Sequence, residues 1–492
     1  MNLKQIEKDI KDHADLVRQQ GPTPFIVGPE HHNIDSSQLS PNAVKVVRAL
    51  LSAGYKAYLV GGCVRDLLLD KNPKDFDVCT SATPQQVTRV FSNAKVIGRR
   101  FMIVHVHFGN SIIEVTTFRS YSQASDDARR RSASGMLVAD NAYGTDELED
   151  AQRRDFTINA LYYEVDTGRI LDFNSGLHDL LCGQLELIGD PAERYREDPV
   201  RIIRACRFAA KLGFTISPRT LGPIHEHLPL LANISNARMY EEINKLFLTG
   251  HGAKSFELAL GLELMDCLFP VMGTLFANPM YQTFVMSSMS SSDLRTQQDK
   301  PNRTHFLYSV LLWGAFYQTI LGSCHDLSGI DHPDERQRLI GIGLSIIRKE
   351  NRIALIPELV AQEITELWYD SLVMIEIAAR TELVESFYRK RNFRACYDFL
   401  ILRCKLEPLL SYCVKTYTPY YELSQQHKKE HALERTERRA RKTRHKKSKL
   451  RQKINETLNQ YLELEFNDER HSGHKQEIMK KARAWRKEIG LE

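Results

Sequence analysis

Leu59-Val60-Gly61-Gly62-Cys63-Val64-Arg65-Asp66, followed shortly by Asp75-Phe76-Asp77-Val78, decides how this chain folds. Ala57–Val60 is a short apolar run that Gly61-Gly62 breaks, and Val64–Leu69 restarts as a helix. Backbone N–H groups freed at such a turn can receive a triphosphate, and the helix N-terminus adds a favourable dipole. Arg65 is placed to clamp phosphate oxygens, although a plain strand-to-helix turn would look the same. On a strand over Asp75–Val78, residues two apart share a face, so both carboxylates converge while Phe76 turns to the core. Two adjacent acids repel unless a divalent cation lies between them, and Mg²⁺ prefers such oxygens while keeping positions for water and phosphate.

Moving outward, a helical apolar period runs from Asn42 to Ala53 with Val44, Val47, Leu50 and Leu51 on one face, behind a polar arm over residues 1–40. Ile103–Phe108 and Ile112–Phe118 form a hairpin around Gly109-Asn110. Within it Glu114 is the sole charge of an apolar strand, which is costly unless it is paired or bound to metal; Arg119 is the alternative partner. Residues 120–145 are polar, and a strand or short helix resumes from Arg153 to Tyr163. Beyond Pro191 the pattern is helical almost throughout, with Gly213 placed as a helix C-cap.

Two later segments carry further candidates. Glu149 to Leu161 mixes acids, arginines and Asn159: Arg154 suits phosphates, while Asp155 and Asn159 suit a ribose, as would a surface ion-pair network. The helix opening at Arg196-Glu197-Asp198-Pro199-Val200-Arg201 repeats arginine at Arg201, Arg204 and Arg207 beside an apolar face. An Asp and an Arg one turn apart can accept from and donate to one base edge. Adenine and cytosine offer the same donor–acceptor pattern, so this pair admits either.

The 492 residues, 42% apolar and 26% charged, suit two to four globular domains. Nine cysteines without a CxxC pair argue against a structural zinc site and a secreted disulfide scaffold, and favour a reducing compartment. The charged N-terminus lacks the apolar stretch of a signal peptide. Phe306 to Cys324 runs 19 residues without a charge, but Ser309, Gln318 and Thr319 mark it as a buried core helix. A cytoplasmic protein without a transmembrane segment is expected. Net charge is +5, yet the 27 residues from His427 to Lys453 hold 13 Lys/Arg against three Glu, leaving an acidic body and a dense basic block. Such a block suits nucleic acid and folds, if at all, on binding.

Together LVGGCVRD, KDFDV, IIEVTTFR, RRDFTINAL and EDPVRIIRACRFAAKLGF resemble, in order and over roughly residues 55–245, the class II nucleotidyltransferases. That family comprises tRNA CCA-adding enzymes and bacterial poly(A) polymerases. The segment from Ile97 to Phe108, IGRRFMIVHVHF, is similar to the GRRF-x-x-x-HV-x-F signature of the poly(A) polymerase branch. Cys63 stands where a third glycine is common, residues 280–400 match diffusely, and the tail is spaced by Glu and Ala instead of being rich in Pro and Arg.

The resemblance implies an α+β fold: a polymerase-beta-like mixed-sheet head over 41–190, then an all-α neck over 191–275, a helical body over 276–425 and a basic tail over 426–492. It implies catalytic Asp75, Asp77 and Asp155, with two Mg²⁺ ions on Asp75 and Asp77 and Glu114 as a helper. Nucleotide contacts would come from Gly61, Gly62, Arg65, Asp66, Arg119, Arg154, Asn159, Asp198, Arg201 and Arg204. RNA contacts would come from Arg99 and Arg100 and, in the tail, from Arg438, Arg439, Arg441, Lys442, Arg444, Lys446 and Lys447. The expected activity is addition of AMP from ATP to RNA 3′ ends, marking RNA for decay, with RNA-decay or RNA-chaperone proteins as partners of the tail. CCA addition to tRNA from CTP and ATP is the second reading, and a non-catalytic RNA-binding protein the third. Nothing demands an oligomer, so a monomer is expected.

Overall fold

The computed structural model describes residues 3–98, 102–120, 143–323 and 329–424, with Gln426, Ser448, Lys449, Gln452 and Glu456 beyond them. The chain forms two compact units: Met1–Glu376 with Phe399–Pro408, and Ile377–Asp398 with Leu409–Glu492. The expected tail contacts from Arg438 to Lys447, and Arg99 and Arg100, lie outside the described residues.

The first unit opens with an eight-stranded mixed sheet. Its strands are β1 (Phe25–Val27), β2 (Ala57–Val60), β3 (Asp77–Thr80), β4 (Ala94–Ile97), β5 (Ile103–Phe108), β6 (Ser111–Thr117), β7 (Leu161–Tyr163) and β8 (Ile170–Asp172), in the order β1-β8-β7-β2-β3-β6-β5-β4. Only β3 and β6 run parallel; every other neighbouring pair is antiparallel.

One face of the sheet is covered by helices α1 (Leu3–Gln20), α2 (Pro41–Ser52), α3 (Gly62–Leu68) and α4 (Pro84–Val90) around a core that includes Val64, Val78, Val104, Val106 and Val115. Ser40 caps α2 by accepting from the Ala43 N–H, and Pro41 occupies its first turn. The buried face of α2 is Ala43, Val46, Val47 and Leu50, rotated from the expected stripe so that Leu51 is exposed. The opposite face carries a smaller core of Tyr58, Val60, Cys79, Phe118 and Tyr162 under α5 (Glu147–Arg153).

Residues 1–40 are not the polar arm expected from their composition. β1 pairs with β8 as the sheet edge, Ile10 and Ala14 of α1 are buried, and the His13 and Phe25 rings stack at 4.8 Å. The strand is only three residues long, too short for alternation to reveal it, and the charged residues of α1 lie on the far side of an amphipathic helix.

After β8 come α6 (Gly176–Leu181), α7 (Pro191–Glu197), α8 (Val200–Leu212), the single turns α9 (Pro218–Leu221) and α10 (Ile224–His227), and α11 (Asn236–Leu248). The neck is not purely helical: Thr215–Ile216 pairs in parallel with Gln184–Leu185. Gly213 ends α8 at φ +73°, the left-handed cap that favours glycine. Helices continue from Gly252 onward, and the expected core helix is the pair Thr304–Leu311 and Trp313–Ser323. Among the described residues no helix is long and apolar enough to cross a membrane. The second unit has its own aromatic core, with Tyr397 and Tyr421 stacked at 4.3 Å and Phe387, Phe393 and Tyr417 close by.

Candidate active site

β2 leads directly into Gly61, whose φ of +78° only glycine adopts readily, and the chain then turns into α3 at Gly62. A β-carbon at Gly61 would lie 3.8 Å from the Asn159 carbonyl oxygen, 3.9 Å from Arg154 Nη1 and 4.0 Å from Asp77 Oδ2. The glycine turn, the acidic strand and the arginine segment therefore meet at one place, although they are far apart in sequence.

Asp77 is the first residue of β3, in register with Val60 on β2 and Glu114 on β6. Asp75 lies just outside the strand and is exposed, while Phe76 is partly buried against the core. Burial and the neighbouring Glu114 push the Asp77 carboxyl up to about 6; Arg154 pulls against them, and Asp75 adds to the rise. Such a carboxylate fits a divalent cation. Among the described residues no three His, Cys, Asp or Glu side chains are gathered closely enough to hold a metal. Two carboxylates suffice for Mg²⁺, which keeps waters and takes substrate phosphates.

Glu114 differs from its expected setting. It is not interior: its side chain is 50% exposed and lies 3.4 Å from His105 Nε2. Arg119 is instead in the neighbourhood of Asp150, which accepts from the Arg119 backbone N–H. The alternation of β6 does identify a two-faced strand, but it cannot say which face is left uncovered.

Asp77 yields the first test. Its folded carboxyl is raised above the ordinary 3.8, so the wild type carries no penalty below about pH 4 and an increasing one as pH rises through about 6. Without Mg²⁺, Asp77→Asn is expected to be more stable than wild type at pH 8, by up to about 3 kcal/mol and therefore with a higher melting temperature, and equally stable below pH 4. Thermal melts in chelator at the two pH values read this directly; a variant no more stable at pH 8 would refute the crowding of charge.

Arg154 donates from Nε and Nη2 to Asp150 at 3.1 and 2.9 Å, and from Nε to the Tyr162 hydroxyl at 3.0 Å. The Tyr162 hydroxyl in turn donates to Asp150 at 2.7 Å. Arg194 Nη2, from α7, donates to the Arg153 and Arg154 carbonyls at 2.9 and 2.6 Å. The arginine is thereby held with its Nη1 toward Gly61 and Asp77.

Arg65 is placed otherwise than its sequence position implies. It is buried, donating from Nε and Nη2 to Asp66 at 2.8 and 2.6 Å and from Nη1 to Asn159 at 2.5 Å, so it acts as a structural tie and not as an open phosphate clamp. Asp66 also lies 3.5 Å from Lys211 Nζ on α8. Asn159 passes the connection on by donating to Asp155 Oδ1 at 3.3 Å. Asp155 accepts further from the Phe156 N–H at 2.8 Å, and its other oxygen accepts from Arg204 Nε at 2.9 Å and from Nη2. Burial alone would push this carboxyl up, but Arg204, the Phe156 N–H and Asn159 hold it well below the ordinary range. The Arg65, Arg204 and Arg207 guanidinium carbons lie 5.5, 5.7 and 4.3 Å from the Phe208 ring centre.

Asp198 and Arg201 do not pair with each other through their side chains. Asp198 forms a two-pronged pair with Arg238 of α11, at 3.0 and 2.7 Å. Arg201 Nη1 donates to the Arg194 carbonyl at 2.6 Å and to Glu197 at 3.3 Å. Arg238, Asp150 and Tyr162 are thus site residues that motif spacing did not single out. Asp150 was in view only as one acid among several, and Arg238 has no local signal at all.

A mixed sheet with paired acids at the start of a central strand, beside a glycine turn and an arginine cluster, defines a nucleotidyltransferase head. Residues 57–186 match the family described as "Poly A polymerase head domain", 213–275 match "Probable RNA and SrmB- binding site of polymerase A", and 345–453 match "Polymerase A arginine-rich C-terminus". The chain is 40% identical over 395 residues to poly(A) polymerase I of Escherichia coli O6:H1, covering 78% of this chain and 83% of that protein. It is 37% identical over 224 residues to a CCA-adding enzyme of Lactobacillus helveticus, covering 46% of this chain and 54% of that one. A solved CCA-adding enzyme in apo form shares the fold at a TM-score of 0.54 and 18% identity, over 78% of this chain and 84% of that one. The chain belongs to the bacterial poly(A) polymerase I family.

Proposed function

We propose that this protein extends RNA 3′ ends without a template, transferring AMP from ATP to the 3′-hydroxyl and releasing pyrophosphate. The observation that carries it is 40% identity to a poly(A) polymerase I across about four-fifths of both chains, with Asp77 and Arg154 meeting at Gly61. CCA addition has less behind it, because the CCA-adding relative aligns with under half of the chain. A non-catalytic RNA-binding role is disfavoured by the cost of keeping Asp77 beside Asp75 and Glu114.

In this reading residues 41–190, with α1 and β1 added, form the catalytic head; 191–275 form the neck, 276–425 the body and 426–492 the tail. Asp75 and Asp77 would hold two Mg²⁺ ions, with Glu114 beside them, and the bound metal would supply activation of the 3′-hydroxyl and neutralisation of the leaving pyrophosphate. Arg154, fixed by Asp150 and Tyr162, turns a cation toward the triphosphate, and the Gly61-Gly62 turn lets the backbone approach it. Arg119 contributes positive charge nearby. Asp155 has both oxygens engaged, so its role is to position Arg204 and Asn159 next to the nucleotide. Asp198 and Arg201 address the base edge, with Arg238 aligning Asp198.

Arg99, Arg100 and the basic block containing Arg438, Arg439, Arg441, Lys442, Arg444, Lys446 and Lys447 would neutralise RNA phosphates. RNA-decay or RNA-chaperone proteins are the proposed partners of that block. The described cysteines are all free, which supports a cytoplasmic site of action, where such tails would mark RNA for decay.

The decisive experiment supplies each NTP separately to protein, Mg²⁺ and a generic RNA, with a tRNA lacking CCA in parallel. A long ladder with ATP alone is expected. Addition limited to C, C and A on the tRNA overturns the proposal.

A further inference from the structure

Among the described residues, the sheet face that carries Asp77 is packed over by helix only across part of its width. Across β2 and β7 it lies under α5 with Tyr58, Val60 and Tyr162. Among the described residues, the Glu114 side chain beyond Asp77 is 50% exposed, whereas His105 beside it is 21% exposed with its Nε2 buried. Register places Asp77, Glu114, His105 and Lys95 in one row across β3, β6, β5 and β4. In-register residues share a face, and the alternate residues Val104, Val106, Ile113 and Val115 fill the core on the other side. Flanking the row, Ile97 is 42% exposed and Ile112, opposite His107, is 47% exposed. The His105 and His107 rings stand 6.3 Å apart, edge to face.

We infer that this face of β4, β5 and β6, which exposes Glu114, Lys95, Ile97 and Ile112, is the track on which the 3′-terminal segment of single-stranded RNA lies. The inference rests on the proposed activity, which requires an RNA 3′-hydroxyl beside Asp75 and Asp77. Three strand spacings separate Asp77 from Lys95, roughly 15 Å, enough for a short stretch of single strand. The row is acidic at its inner end, where the hydroxyl reacts, and basic at Lys95, where phosphates pass outward. Beside the row the exposed Ile97 and Ile112, with the partly exposed edges of the His105 and His107 rings, present flat or apolar surfaces on which bases stack without sequence preference. The surface is continuous with the acids that the reaction uses, and this polarity matches one strand orientation, with the 3′ end inward.

The test couples mapping with kinetics on the full-length protein. An RNA ending in a photoreactive 4-thiouridine is expected to crosslink to the 103–112 region without ATP; crosslinks confined to the helices after residue 190 overturn the track. Lys95→Glu and Ile112→Glu, both exposed and outside the catalytic acids, are expected to raise the KM for RNA at least about tenfold and leave the KM for ATP within twofold. An RNA KM within twofold of wild type, in variants with unchanged melting temperature, also overturns it. If the wild-type protein fails to tail RNA with ATP, the proposed activity falls instead, and crosslinking still reports on the face by itself.

Discussion

Replacing Asp75 and Asp77 together by alanine is expected to lower AMP incorporation by at least ~10³-fold, while RNA affinity changes less than about threefold. Metal-supported charge neutralisation is worth several kcal/mol in the transition state, and each 1.4 kcal/mol corresponds to about tenfold in rate. Asp77 sits where burial, Glu114 and Asp75 already resist its ionisation, so its charge is held there at a cost that a bound cation relieves. Asp75 is exposed and Asp77, although partly buried, lies outside the apolar clusters on either face of the sheet, which makes the double variant foldable. Gel assays of nucleotide addition beside filter binding of the same RNA separate the two quantities. Activity that survived within tenfold would remove the catalytic assignment of both acids.

The second large effect concerns stability. Arg204→Ala leaves the Asp155 carboxylate mostly buried and without its strongest partner, and is expected to cost about 2–4 kcal/mol at pH 7–8. The folded-state carboxyl of Asp155 is depressed below its ordinary value, so the stability it contributes is present above about pH 4 and is lost as pH falls further. The gap between wild type and Arg204→Ala must therefore narrow under acid conditions. Asp155→Asn should narrow it in the same way, because it removes the charge that Arg204 compensates. Denaturant titrations at pH 8 and near pH 3.5 measure both gaps. A gap independent of pH would assign the loss to packing of the Arg204 stem against Phe208 and not to the ion pair.

Most of what locates the site is local, and that part was legible. The glycine pair, the Asp-Phe-Asp strand entry, the hairpin around Gly109-Asn110 and the cap at Gly213 each announce themselves within a few residues, because turn and cap chemistry is set by neighbours. What depended on distant pairing was not. β1 and β8 are three residues each, and only pairing makes them strands, β1 with the distant β8 and β8 also with β7. Asp198 and Arg238 stand 40 positions apart, so one-turn spacing pointed to Arg201, which has other partners. Arg65 looked like a phosphate ligand because burial is invisible in a motif, and Glu114 looked interior because an apolar strand does not reveal which face goes uncovered.

The placement of β1 also governs the order in which the head is completed. Residues 25–27 leave the ribosome early, yet their hydrogen-bonding partner, residues 170–172, is made much later. At ~5–20 residues per second, the first strand waits on the order of ten seconds before the sheet can close on it. During synthesis its companion helix α1 can meet Phe25 at once, but α6 (Gly176–Leu181), against which it also packs, is made only after β8. Slowing translation between these two points lengthens that interval, whereas a circularly permuted chain that begins after residue 40 and carries 3–40 behind the head would remove the early wait.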